Sequence, residues 1–442
     1  MTFKAPYWMN PIVIMVAWMV MCVIASLMDN SFYRQFMRAS KFIELKHVLI
    51  YFLATLIFCV FCYFGMHRAA SAPNRSRNRL EALTAGINST AVARLVLGAF
   101  VVVTIAYLIW FFPTFDGRVV SRLIEGESTS AMRAYGNQIS GITTLTQLGI
   151  PLAVVSVFGI LLGKTRHRRH FYRLVLAAVI FFALYRMLLW SERLALFEIL
   201  VPAMIAWTLV VYRGQAIYRW LPVVAFFGAV FIFGLSEYFR SWNFYADRSS
   251  GIVSFSFLRF ISYYLSSMNN MALLIDRIDP SYLPLNTLQF VFKMPLPGFA
   301  GLNELQGSFW QETYMGSLES YANPEFNLFG AVGLIISDFG VVGGILVMSV
   351  FGWITGRLYA SAQSGMLFGL VIYPIWMVGL LEFGRLLYWG NGRAFPAWLL
   401  AFALVYVLRR AWLLHARRVR RPRAEPADRS VAGNSFDRVG AQ

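Results

Sequence analysis

The run AVARLVLGAFVVVTIAYLIWFF, residues 91–112, holds a single charge, Arg94, in 22 residues. Wound as a helix it rises about 33 Å, enough to cross a hydrocarbon core of about 30 Å. Nine more runs of similar character lie on either side of it, at 8–28, 47–65, 145–163, 171–190, 194–212, 220–238, 335–357, 367–384 and 394–409. The expected fold class is therefore an all-α polytopic membrane protein with about ten transmembrane helices. Composition agrees: of 442 residues, 58% are hydrophobic and 14% charged. A soluble domain with that ratio would expose too much apolar surface.

The connectors set an orientation. Arg68, Arg75, Arg77 and Arg79 follow the second run, and Lys164, Arg166, Arg168 and Arg169 follow the fourth. Arg213 and Arg219 follow the sixth, and Arg409, Arg410, Arg417, Arg418, Arg420, Arg421 and Arg423 follow the last. These connectors alternate, so they share one side, the cytoplasm, and both termini fall there. The connector at 29–46, with Arg34, Arg38, Lys41 and Lys46, is the one outer loop that runs against the rule. The net charge of +18 then reflects topology and not nucleic-acid binding, since no basic face carries interleaved aromatics. The first run is too long for a signal-peptide core and reads as a retained helix.

Four regions follow: helices one to seven over 1–238, an outer segment at 239–334, helices eight to ten over 335–409, and a basic tail at 410–442, polar and disordered in its last part. The outer segment is rich in aromatics, among them Trp242, Phe260, Tyr263, Tyr264, Trp310 and Tyr314, which suits packing on the membrane domain. Within it, 254–275 reads as an amphipathic surface helix, and 327–340 as an apolar, Gly-rich piece that re-enters the membrane. A shorter outer segment lies at 113–144. Cys22, Cys59 and Cys62 sit inside apolar runs, and the five histidines form no ligand set, so neither a metal nor another cofactor is expected.

Ionisable residues at the outer ends of the runs are costly and therefore informative. Arg186, Glu192, Arg193 and Glu198 flank the turn between the fifth and sixth helices. Glu237 and Arg240 close the seventh, followed by Asp247 and Arg248; Asp338 begins the eighth. Glu382 and Arg385 end the ninth, and Arg393 precedes the tenth. Individually these read as ion pairs locking helix ends. Together they present a surplus of arginines at one depth, which asks for an anion, and a phosphate or diphosphate suits the guanidinium fork. Arg193, Arg240, Arg248 and Arg385 are the expected anion-binding set, with Asp338 or Glu237 as the carboxylate that takes a proton from an acceptor hydroxyl.

Residues 321–358, YANPEFNLFGAVGLIISDFGVVGGILVMSVFGWITGRL, carry Asn327, Phe329, Asp338, Phe339, Gly340 and Gly343. This stretch resembles the late-helix signature of bacterial oligosaccharide repeat-unit polymerases, the Wzy-type O-antigen and exopolysaccharide polymerases. The upstream piece FISYYLSSMNN, with Tyr263, Tyr264 and Asn269, is similar too. The Arg-x10-Gly spacing of some members is absent after Arg193. The resemblance implies a metal-independent glycosyltransferase of GT-C-like fold in the bacterial inner membrane. A large periplasmic loop would lie between helices seven and eight. The substrate would be an undecaprenyl-diphosphate-linked oligosaccharide, with Tyr263, Tyr264 and Asn327 among the substrate-binding residues and a chain-length regulator as a partner.

Two rivals stand beside it. An O-antigen ligase carries a histidine in its large outer loop, and 239–334 contains none. A transporter or flippase would show short loops on both sides and related halves, against the long outer segment here.

Overall fold

A chain segment surrounded by apolar side chains must satisfy its amides internally, and helices result. The computed structural model of the protein describes residues 5–70, 76–112, 141–190, 192–245, 251–294 and 297–420, with positions 121 and 139. Among them every regular element is a helix: α1 (Pro11–Leu27), α2 (Leu45–Ala70), α3 (Ser76–Ile87), α4 (Thr90–Phe111), α5 (Gly149–Leu162) and α6 (Arg166–Trp190). There follow α7 (Arg193–Val211), α8 (Leu221–Tyr245), α9 (Ile252–Arg277), α10 (Ala331–Gln363), α11 (Leu367–Leu381) and α12 (Phe395–Arg420), with short helical turns between. Eight helices are long and apolar enough to cross a membrane, namely α2, α4, α5 with the turn before it, α6, α7, α8, α10 and α12. Apart from position 121, the segment 113–138 and the tail from 421 lie outside the described residues.

Two of the ten expected spans come out differently. The first run gives the 17-residue α1, opened by Pro11 and by the Asn10 side chain, which accepts from the Ile12 amide at 3.0 Å. After Leu27 the chain turns by 94° into Asn30–Met37, so the run forms a sharply bent helix pair and not one straight span. The ninth run gives α11, 15 residues and about 22 Å long, too short to cross unaided.

Two tight clusters of contacts mark one end of the bundle. Asn88 donates to the Leu162 carbonyl (3.1 Å) and accepts from the Lys164 amide (2.8 Å), and Arg168 donates to the Ser89 carbonyl (3.0 Å). Trp8 donates to the Tyr218 carbonyl at 2.8 Å, bringing the start of α1 to the turn before α8. Lys164 and Arg168 lie at this end, called the basic end below. The opposite end holds the acidic residues and is called the charged end below. Between the two, α5 is the most enclosed span, with 72% of its apolar window buried, and α8 the least, with 22%. α2 and α10 pack backbone to backbone through Gly65, Gly352 and Gly356, where an added Cβ would strike the Trp353, Phe58 and Cys62 carbonyl oxygens.

Two sequence expectations about 239–334 are corrected. It is not one outer loop: α8 continues to Tyr245 and α9 occupies 252–277. Nor is α9 a surface helix, for every residue from Leu265 to Leu274 is buried. The loop proper is 278–330. It leads into α10, whose 33 residues would span about 50 Å if straight. Gly340, at φ +71°, breaks it, leaving a half-helix, 331–339, that is buried from Ala331 to Asp338, and a 341–363 stretch of crossing length.

Candidate functional site

At the charged end, helix termini distant in sequence bring arginines and glutamates together. Arg393, from the turn before α12, donates to Glu192 at 2.5 Å and to Glu198 at 2.8 Å. Arg186 holds the other oxygen of Glu192 at 2.6 Å, donates to Thr146 at 3.1 Å, and lies 4.6 Å from the Trp110 ring centre. Gln147 completes this group. With its amide nitrogen toward Glu198 (3.1 Å), its oxygen accepts from Arg393 and Arg186 at 3.2 and 3.1 Å. Burial pushes the Glu192 carboxyl up, but Arg393 and Arg186 outweigh it and hold it at about 2.

A second group joins α7, α8, α9 and the loop. Arg193 donates to the fully buried Glu237 at 2.5 Å, stacks on Phe233 at 3.7 Å, and lies 4.9 Å from the Tyr263 ring centre. Arg259 stands 3.6 Å from the second Glu237 oxygen and pairs with Glu325 on the loop. Its guanidinium covers the Phe326 ring at 4.7 Å. Stripping one partner from such a pair strands a buried charge and costs about 3–5 kcal/mol.

Between these groups sits Arg385. Its Nε meets Glu382 at 2.7 Å, three residues back, and the Tyr264 ring lies 5.9 Å away. Among the described residues its side chain makes no other hydrogen bond or ion pair, so both terminal nitrogens of the fork lack such a protein partner. Burial works against the Arg385 charge, and Glu382 more than restores it. For Glu382 burial prevails over Arg385, and its carboxyl is pushed above the usual range. A proton-accepting group thus stands beside two open guanidinium donors.

The loop is fastened over this end by side chains that the sequence singled out for other work. Asp338 accepts from the Asn286 amide (3.0 Å), the Asn286 side chain (2.7 Å) and the Thr287 amide (2.7 Å). Tyr314 hydrogen-bonds Asn286 and Ser337. Asn269 accepts from the Phe42 and Ile43 amides and donates to the Ser40 carbonyl. Asn270 donates to the Phe326 and Leu328 carbonyls at 2.6 and 3.0 Å. The first amides of the half-helix, at Gly330 and Ala331, are capped by the Arg385 and Phe383 carbonyls, which ties the loop to the Arg385 turn.

Of the nominated residues, Arg193, Glu237, Tyr263, Tyr264 and Arg385 converge. Asn327 is exposed on the loop next to Phe326. Asp338 belongs to the loop fastening. Arg240 lies on α8 one turn past Glu237, and its side chain is outside the described residues, as is the whole of Arg248. The expected surplus of arginine is corrected among the described residues. Arg186, Arg193, Arg259, Arg385 and Arg393 are matched by Glu192, Glu198, Glu237, Glu325 and Glu382. Sequence reasoning missed Arg259 and Glu325 as partners, and it left Glu382 out of the chemistry. A charge inside 252–277 was the available signal for Arg259. Among the described residues no three His, Cys, Asp or Glu side chains stand close enough to hold a metal ion. No protein-family model, curated protein or solved structure matches the chain.

Proposed function

We propose that the protein is a Wzy-type polymerase, a metal-independent GT-C-like glycosyltransferase of the bacterial inner membrane. It would join undecaprenyl-diphosphate-linked oligosaccharides into O-antigen or exopolysaccharide at the periplasmic face, with both termini in the cytoplasm. The open Arg385 fork beside Glu382, under a fastened loop at one end of the helices, is the observation that carries this reading. The fork matches a diphosphate oxygen pair and stabilises the charge that develops as it leaves. Arg240, nominated from the sequence alone, is proposed for the same role. Glu382 takes the proton of the acceptor hydroxyl as that oxygen bonds to the anomeric carbon of the donor sugar. The bond from that carbon to the diphosphate breaks, and the lipid diphosphate departs. Glu237, hydrogen-bonded to Arg193 and 3.6 Å from Arg259, and Asp338, held by three N–H donors, position the site instead.

A deletion strain should accumulate lipid carrying single repeat units and lack polymer, and the cloned chain should restore it. Polymer of normal length in the deletion strain would overturn the proposal.

A further inference from the structure

The end of α11 carries Glu382 and Arg385, yet α11 is about 22 Å long, too short for the bilayer to fix where that end lies. Its depth is set by neighbouring chain. Two hydrogen bonds hang α11 on α1, and they come in the same order along both helices. The Tyr373 hydroxyl donates to the Met9 carbonyl, just before α1. Further along, the Trp18 indole N–H donates to the Leu380 carbonyl at 2.8 Å. Leu380 is the last residue but one of α11, where a helix leaves its carbonyls short of intrahelical amides.

The same indole backs the turn beyond the helix end. A Cβ at Gly384 would strike the Trp18 ring and the Met268 methyl, so the backbone there lies close on the indole. The Tyr264 ring centre is 5.4 Å from that of Trp18, tilted by 34°, and 5.9 Å from the Arg385 guanidinium. Glu382 fixes the Arg385 Nε, but it stands on the same turn and cannot place that turn in the bundle. The Gly330 and Ala331 amides hold the turn from the loop side. Trp18, half-buried in a run that the sequence marks only as a span, holds it from the α1 side.

We propose that Trp18 is a positioning residue for the Arg385 fork: it sets the depth of the end of α11 and, through Gly384 and Tyr264, the aim of the guanidinium. The role rests on the proposed function for its reaction. Its main test requires neither sugar nor lipid carrier.

The full-length protein in nanodiscs is titrated with inorganic diphosphate, and affinity is read from the rise in unfolding temperature above each variant's own unliganded value. The natural protein should respond and Arg385→Ala should not. Trp18→Phe keeps a ring and loses the N–H, and should weaken affinity several-fold. Gly384→Ala, which drives a Cβ into the same indole, should repeat the loss. In an Arg385→Lys background Trp18→Phe should add nothing, because a lysine has no fork to aim. A side chain that merely supports the fold would weaken both backgrounds by the same factor. In polymer synthesis, at equal amounts of folded protein, Trp18→Phe should lower kcat about ten-fold and leave KM for the donor within about two-fold.

Unaltered affinity in both Trp18→Phe and Gly384→Ala, or an equal loss in the Arg385→Lys background, would overturn the positioning role and leave the polymerase reading standing. Affinity lost in Trp18→Phe, in a protein whose deletion leaves polymer intact, would sink the polymerase reading alone. A natural protein that responds to diphosphate no more than Arg385→Ala does would overturn both.

Discussion

Arg385 and Arg393 flank one short connector, yet their surroundings differ. Arg393 is divided between two carboxylates, whereas Arg385 touches one and leaves its fork open. Arg385→Ala is expected to cut polymer synthesis by about 100-fold or more, compared at equal amounts of folded protein. Arg385→Lys should restore little, since a point charge does not replace a planar fork. Activity of the lysine variant close to that of the natural protein, read from a polymer ladder, would argue against bidentate binding. Glu237→Ala should act oppositely: it strands Arg193 and Arg259 and should cost about 3–5 kcal/mol of stability, measured by denaturation in mixed micelles. The charges themselves were legible in the sequence because each interrupts an apolar run. Their pairing was not, because the partners lie 44 residues apart for Arg193–Glu237 and 195 for Arg393–Glu198.

Among the elements, α9 shows why hydropathy stops short. Ser266, Ser267, Asn269 and Asn270 make its second half look fit for a surface, but their polar groups are consumed by the chain around them. A buried helix of that kind is visible only when its partners are known. The break in α10 was half legible. Gly-rich sequence signalled irregularity at 327–340, but the positive φ of Gly340 is a property of the fold. Gly340→Ala should cost about 1–2 kcal/mol through backbone strain. Gly356→Val should do more, since its side chain would meet the Cys62 backbone on α2, which has no room to yield. A Gly356→Val protein with natural expression and melting temperature would contradict the close α2–α10 crossing.

For the whole molecule, the spans were readable because length and apolarity are properties of contiguous residues. Only α1 and α11 departed, one by bending and the other by stopping short. Acid should loosen the charged end that gathers these helices. Glu192 has a folded value of about 2 against an ordinary 4.5, so the native state binds its proton less readily than the unfolded chain. Its contribution is complete above about pH 5, shrinks as pH falls, and is gone near pH 2. The stability gap between the natural protein and Glu192→Gln should therefore narrow by about 2–3 kcal/mol between pH 6 and pH 2. A gap independent of pH would remove Glu192 from the network.

The most direct measurement is reconstitution. The purified protein, in proteoliposomes with polyprenyl-diphosphate-linked oligosaccharide as its sole sugar source, should produce a ladder of joined repeat units and release polyprenyl diphosphate. Arg385→Ala, equally folded, should leave only single units. A full ladder from Arg385→Ala, or none from the natural protein with intact substrate, would contradict sugar transfer at this site.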